Sequence, residues 1–129
     1  MVKVIPPRLV EPYLTGQRSV IAGYVYRLSD CTFRTPADYY QALALGYEGS
    51  EFSANMAELF VLRWIALDMS ASLVAGPRAM SGPVSAIPEF YTLPVPIPVG
   101  AEMSRVTFGA EEFIGRYDGQ VWLRPLREA

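Results

Sequence analysis

Asp118-Gly119 is flanked on both sides by runs of aromatic and β-branched residues, and a two-residue Asp-Gly loop favours the type I′ turn whose twist matches an antiparallel hairpin. Such a turn pairs Tyr117 with Gln120, Arg116 with Val121, Gly115 with Trp122 and Ile114 with Leu123. Side chains alternate along a strand, so Ile114, Val121 and Leu123 share one face while Phe113, Tyr117 and Trp122 share the other. Gly115 opposite Trp122 leaves space for the indole, a reason for glycine inside a strand. The run 103–108 turns at Gly109-Ala110 into Glu111, and residues 102–125 therefore read as a three-stranded meander. Both faces of this unit are apolar, so each needs a cover from elsewhere in the chain.

The candidates for that cover lie upstream. Residues 19–28 alternate Val20, Ala22, Tyr24 and Tyr26 with Ile21, Gly23 and Val25, apolar on both faces until Arg27, as expected of a central strand. Thr35-Pro36 opens a helix over about 36–46: Thr35 is the N-cap, Pro36 the first helical residue, Asp38 lies near the positive end of the dipole, and Gly46 is the C-cap. Residues 59–67 are apolar except at Arg63 and read as a buried strand, with a helix over 55–69 as the alternative. Residues 1–5 suit a short edge strand, and Pro6, Pro7 and Pro12 predict an irregular arm over 7–14.

Six of the 11 prolines fall between 75 and 100 (Pro77, Pro83, Pro88, Pro94, Pro96 and Pro98), which predicts a Pro/Gly-rich crossover with little regular structure. Within it, 76–85 reads as a mobile loop and 93–99 as extended and edge-like. There is no internal repeat. The fold class expected is α+β: a single domain over 1–129, mostly an antiparallel curved sheet or small partly open barrel, with one main helix (about 36–46) and the C-terminal meander (about 102–125).

Composition narrows function more than it names it. The chain contains no histidine, which removes Ser-His-Asp and Cys-His catalysis, histidine general bases and nearly all zinc sites with histidine ligands; no metal site is expected. A net charge of −2 with a single lysine, Lys3, argues against nucleic acid. Arg63 and Asp68 interrupt the longest apolar run, so a membrane span is not expected, and without a signal-peptide pattern the cytoplasm is the default location. The lone Cys31 excludes an internal disulfide and has no histidine to activate it. No Gly-Lys-Ser/Thr or dinucleotide glycine pattern occurs.

The remaining chemistry rests on carboxylates, arginines and aromatics. Glu111 and Glu112, at the turn into the middle strand of the meander, are the candidate catalytic acids, with solvated turn charges as the plainer alternative. Arg27 and Arg63 come from otherwise apolar strands and suit bidentate recognition of an anion, while cross-strand pairing of the strand arginines with Glu102, Glu111 or Glu112 is the competing reading. Tyr47, Ser50 and Ser53 in the polar loop 47–55, and Tyr91 in the crossover, complete the candidate ligand-binding set. Any site is expected where the Glu111 turn meets Arg27 and the 47–55 loop.

Three functions follow as expectations. One is a module that binds a small anionic or nucleotide-like molecule or a protein, with no cofactor. Another comes from order alone: Tyr26-Arg27 on a strand, serines after it, and Glu111 or Glu112 late in the chain. That order is similar to the arginine-serine-glutamate ADP-ribosyltransferases, a similarity that covers three scattered positions and would imply NAD as the molecule consumed. The third is an assembly partner in which 93–99 adds as an edge strand to a second subunit, giving a homodimer.

Overall fold

The computed structural model describes residues 1–46, 49–65 and 86–125, together with the backbone of 73–75. Eight antiparallel strands form one sheet: β1 (Val2–Ile5), β2 (Val20–Tyr26), β3 (Glu58–Arg63), β4 (Leu73–Ala75), β5 (Glu89–Pro96), β6 (Glu102–Thr107), β7 (Ala110–Tyr117) and β8 (Trp122–Leu123), in the order β4-β5-β2-β1-β3-β6-β7-β8. Two short helices, α1 (Val10–Leu14) and α2 (Pro36–Ala42), pack against it. The sheet is not closed, since β4 and β8 are its edges. This is the α+β architecture expected, with the sheet dominant.

The five-residue link between β5 and β6, residues 97–101, explains the curvature. In a flat sheet these strands would stand four spacings apart, roughly 19 Å. Part of the link is folded into a turn, with the Ala101 N–H donating to the Pro98 carbonyl at 3.2 Å. So short a link spans the sheet only if its two halves curl toward each other. The link is then stitched to both halves: the Ile97 N–H donates to the Ser19 carbonyl (3.2 Å), the Gly100 N–H to the Tyr117 carbonyl and the Tyr117 N–H to the Ala101 carbonyl (both 2.8 Å).

Each face has its own core. On one, Val2, Val4, Tyr26, Leu59, Val61 and Val106 pack under Tyr39 and Leu43 of the α2 segment and Leu45 of the following loop. On the other, Ile5, Ile21, Val25, Phe60, Leu62, Met103 and Trp122 pack with Val10 and Tyr13 of α1 and with Ile97. The α2 N-terminus is capped as anticipated, the Asp38 N–H donating to Thr35 Oγ1 at 3.2 Å. Its end is earlier than expected. The helix stops at Ala42, and Ala44, not Gly46, takes the left-handed conformation with φ 53°.

Several other expectations change. The strand reading of 59–67 holds as β3, and 19–28 holds as β2. Residues 1–5 form a central strand, however, between β2 and β3. The proline-rich arm folds as a 3-10 turn (Pro7–Leu9) running into α1, because Pro7 and Pro12 occupy early helical positions that need no N–H partner. The crossover contains β5, eight residues long. Pro94 is accommodated there by a bulge opposite Ala22, between the Ile21↔Val95 and Gly23↔Thr92 pairs. Val95 and Pro96 pair with β2 on one side, and β4 covers Phe90, Tyr91 and Thr92 on the other. The expected loop at 76–85 lies outside the described residues.

The last hairpin keeps Tyr117 and Trp122 on one face, but its register changes and Ile114, expected with Val121 and Leu123, packs in the core of Tyr117 and Trp122. Tyr117 pairs with Trp122 and Arg116 with Leu123, two residues away from the pairing a two-residue turn imposes. The Asp118 carboxylate makes the difference: Oδ1 accepts from the Gln120 N–H (2.8 Å) and the Val121 N–H (2.9 Å), building a four-residue loop around the side chain. Those N–H groups hold the carboxyl below its usual range. A bulge at Ile114, between the Met103↔Gly115 and Ser104↔Phe113 pairs, moves Phe113 to the face opposite Tyr117.

Candidate functional site

Where the two halves of the sheet curl together, α1, the start of β2, the 97–101 link and the β7–β8 hairpin enclose a cavity of about 140 Å³. Its floor is buried: Tyr13, Ile97 and Trp122 are each less than a tenth exposed. Thr15, Gly16, Ser19, Gln120 and Val121 are exposed and form the rim, with Leu14, Arg18 and Tyr117 between.

The donors and acceptors of this cavity do not balance. Tyr13 Oη donates to the Val20 carbonyl at 2.9 Å and accepts from Arg18 Nε at 3.1 Å, so the phenol is committed in both directions. The Arg18 guanidinium lies 5.5 Å from the Tyr13 ring centroid, which together with the Nε bond fixes its orientation. Its two terminal nitrogens have no hydrogen bond and no carboxylate partner among the described residues. Trp122 sits at 5.4 Å from Tyr117, ring to ring, and its indole N–H is buried without an acceptor. The indole N–H is closed off from the cavity, whereas the part-exposed guanidinium is a donor only and its terminal nitrogens are open to an acceptor there.

A second polar cluster lies on the α2 face. Arg63 pairs with Glu111 and donates to Tyr39 Oη at 3.1 Å. Cys31 is half-buried nearby. Its thiol is pushed up to about 11, first by burial and then by the Asp30 carboxylate, against the opposing charges of Arg63 and the N-terminus. A thiol so shifted is a poor nucleophile at neutral pH. Alkylation of Cys31 by iodoacetamide should therefore rise roughly tenfold per pH unit from pH 8 through 10; a rate that levels off by pH 9 would show an unshifted thiol.

The residues singled out in the sequence separate into different places. Glu111 meets Arg63 as an ion pair, and Glu112 meets Arg105 at 2.8 Å, with Arg105 also 3.2 Å from Glu58. These are the cross-strand pairings named above as the competing reading. Arg27 lies over the Phe90 ring at 4.9 Å, on the Val25 side of the sheet, and so faces away from Arg63 and Glu111. Ser50 Oγ donates to the Leu45 carbonyl and accepts from the Phe52 N–H (3.1 Å), closing its own loop, and Ser53 is exposed beside Asn55. Tyr91 packs edge to face on Tyr24 at 5.5 Å. Tyr47 is outside the described residues. Glu111, Arg63 and the loop thus share a face, and Arg27 does not join them.

None of the cavity residues stood out as a site residue in the sequence. Tyr13 lay within the expected arm and Trp122 within the hairpin, and Arg18 occupies an ordinary polar segment before a strand. The one local signal is Gly16-Gln17-Arg18-Ser19 between a helix and β2, which is also how any connecting turn reads.

Comparison with models of protein families, with curated proteins and with solved structures finds no match. Among the described residues, no three acidic or cysteine side chains are placed to hold a metal ion, and no helix is long and apolar enough to cross a membrane.

Proposed function

We propose that this domain binds a small anionic molecule in the cavity between α1 and the β7–β8 hairpin, with Arg18 as its charged anchor. The observation that carries this reading is the Arg18 guanidinium, held to Tyr13 through its Nε and by its approach to the ring, with both terminal nitrogens unpaired among the described residues at a concave site. Binding sites of this kind are largely apolar with a few converging polar groups, and Ile97, Leu14, Val121 and the two aromatic rings supply the apolar part. Size restricts the ligand. Sites for whole nucleotides and drug-sized molecules run to roughly 300–1,000 Å³, and at about 140 Å³ this one accepts a smaller molecule or only the end of a larger one.

Thermal shift with a panel of small anions tests the reading. The midpoint should rise with concentration for at least one anion on the intact protein, because a ligand that binds only the folded state stabilises it by mass action. Arg18→Gln should remove the rise, and Arg18→Lys should weaken it, since a lysine keeps the charge but loses the planar fork. A rise of the same size in Arg18→Gln would place the binding elsewhere.

A further inference from the structure

Resting on the reading of this cavity as an anion site, we infer that its ligand is a monocarboxylate with a short branched or aromatic tail. The anchor is one guanidinium. Its Nε is engaged by Tyr13 Oη at 3.1 Å, which leaves the two terminal N–H groups as a fork, and a fork of parallel donors matches the two oxygens of one carboxylate. A phosphate or sulfate spreads its charge over three or four oxygens in a tetrahedron and is held where several cations or a run of backbone N–H groups converge. Among the described residues Arg18 is the sole cationic side chain lining the cavity.

Beyond the head group the floor is apolar, and Thr15, Ser19 and Gln120 make part of the rim polar. Ile97 and the Trp122 ring form the buried floor, with Leu14 and Val121 toward the rim. The volume of about 140 Å³ resembles the roughly 150 Å³ apolar cavity that takes up benzene. A five-carbon branched acid or a benzoic acid matches it, whereas acetate leaves the floor uncovered.

The test is an NMR titration of the intact, ¹⁵N-labelled protein, read at the indole N–H resonances. Trp122→Phe assigns the Trp122 resonance, and Trp64, buried elsewhere in the same core, is an internal control. Isovalerate and benzoate should shift the Trp122 indole saturably and leave Trp64 in place. Isovaleramide and benzamide, of the same shape without the charge, should bind roughly tenfold to hundredfold more weakly. Acetate should bind more weakly than isovalerate.

Phosphate or sulfate moving the Trp122 resonance where the carboxylates do not would overturn the carboxylate assignment and leave the anion site standing. Amides that bind as well as the acids would overturn the anion site along with it. So would a Trp122 resonance that none of these probes moves.

Discussion

Trp122→Ala should destabilise the protein by about 3–5 kcal/mol, the range for truncating a buried aromatic side chain, and lower the thermal midpoint by roughly 10–20 °C. The indole is 7% exposed although it belongs to a two-residue edge strand. It is placed by its neighbours: Tyr117 pairs with it across the hairpin, and Gly115 lies so close that an added Cβ would stand 3.7 Å from the indole ring. The residue therefore fastens the last strand to the core that Ile5, Ile21, Leu62 and Met103 share. Trp122→Phe separates packing from the unpaired donor. It removes an N–H that has no acceptor, and that relief offsets part of the lost area, so the cost should be about half or less. Denaturant unfolding of the two variants checks this, and equal losses would mean that the N–H is satisfied in the free protein.

The same residue shows how far the sequence could be followed. Its face was legible, because aromatic and aliphatic residues alternate through the hairpin and a slip of two residues leaves Trp122 on the side of Tyr117, although the bulge moves Phe113 and Ile114. Its register was not. Asp-Gly reads as a type I′ turn from backbone preference, but the Asp118 side chain captured two backbone N–H groups and made a longer loop. The bulge at Ile114 is equally silent in the sequence, since an extra residue in one strand leaves the composition of both strands unchanged. Proline misled in the other direction. Pro94 and Pro96 argued against a strand over the crossover, but a proline at a bulge or a strand end gives up no ladder hydrogen bond that the fold needs.

The site was less legible than the fold for a related reason. Strand arginines among apolar residues attract notice, and Arg63 did need a carboxylate; the partner proved to be Glu111, which settles the charge of both. Arg18 attracts none, because polar residues before a strand are ordinary. It becomes informative only once the 97–101 link has curled the sheet and brought the β7–β8 hairpin opposite it, a contact between residues about a hundred positions apart. Local pattern carries strand, helix cap and face. It does not carry which ends of a sheet will meet.

Ile5→Ala should cost about 2–5 kcal/mol, while the same chemical change at the exposed Ile65 should stay within about 0.5 kcal/mol. The comparison tests the one placement that most altered the picture of this chain. A terminal segment followed by two prolines reads as a short edge strand, where truncation of one side chain costs little. Here Ile5 is fully buried, and its strand pairs residue by residue with β3, from Val2↔Arg63 to Ile5↔Phe60. Val2 also pairs with Tyr26 of β2, so β1 joins the half of the sheet carrying β2 and β5 to the half carrying β3, β6 and β7. Ile5 packs in the core that also holds Tyr13 and Trp122, two walls of the cavity. Loss of its side chain should therefore weaken ligand binding as well as folding, through a looser floor with no change at Arg18. If urea unfolding shows Ile5→Ala within about 0.5 kcal/mol of the parent, β1 is not the buried central strand that joins the two halves of the sheet.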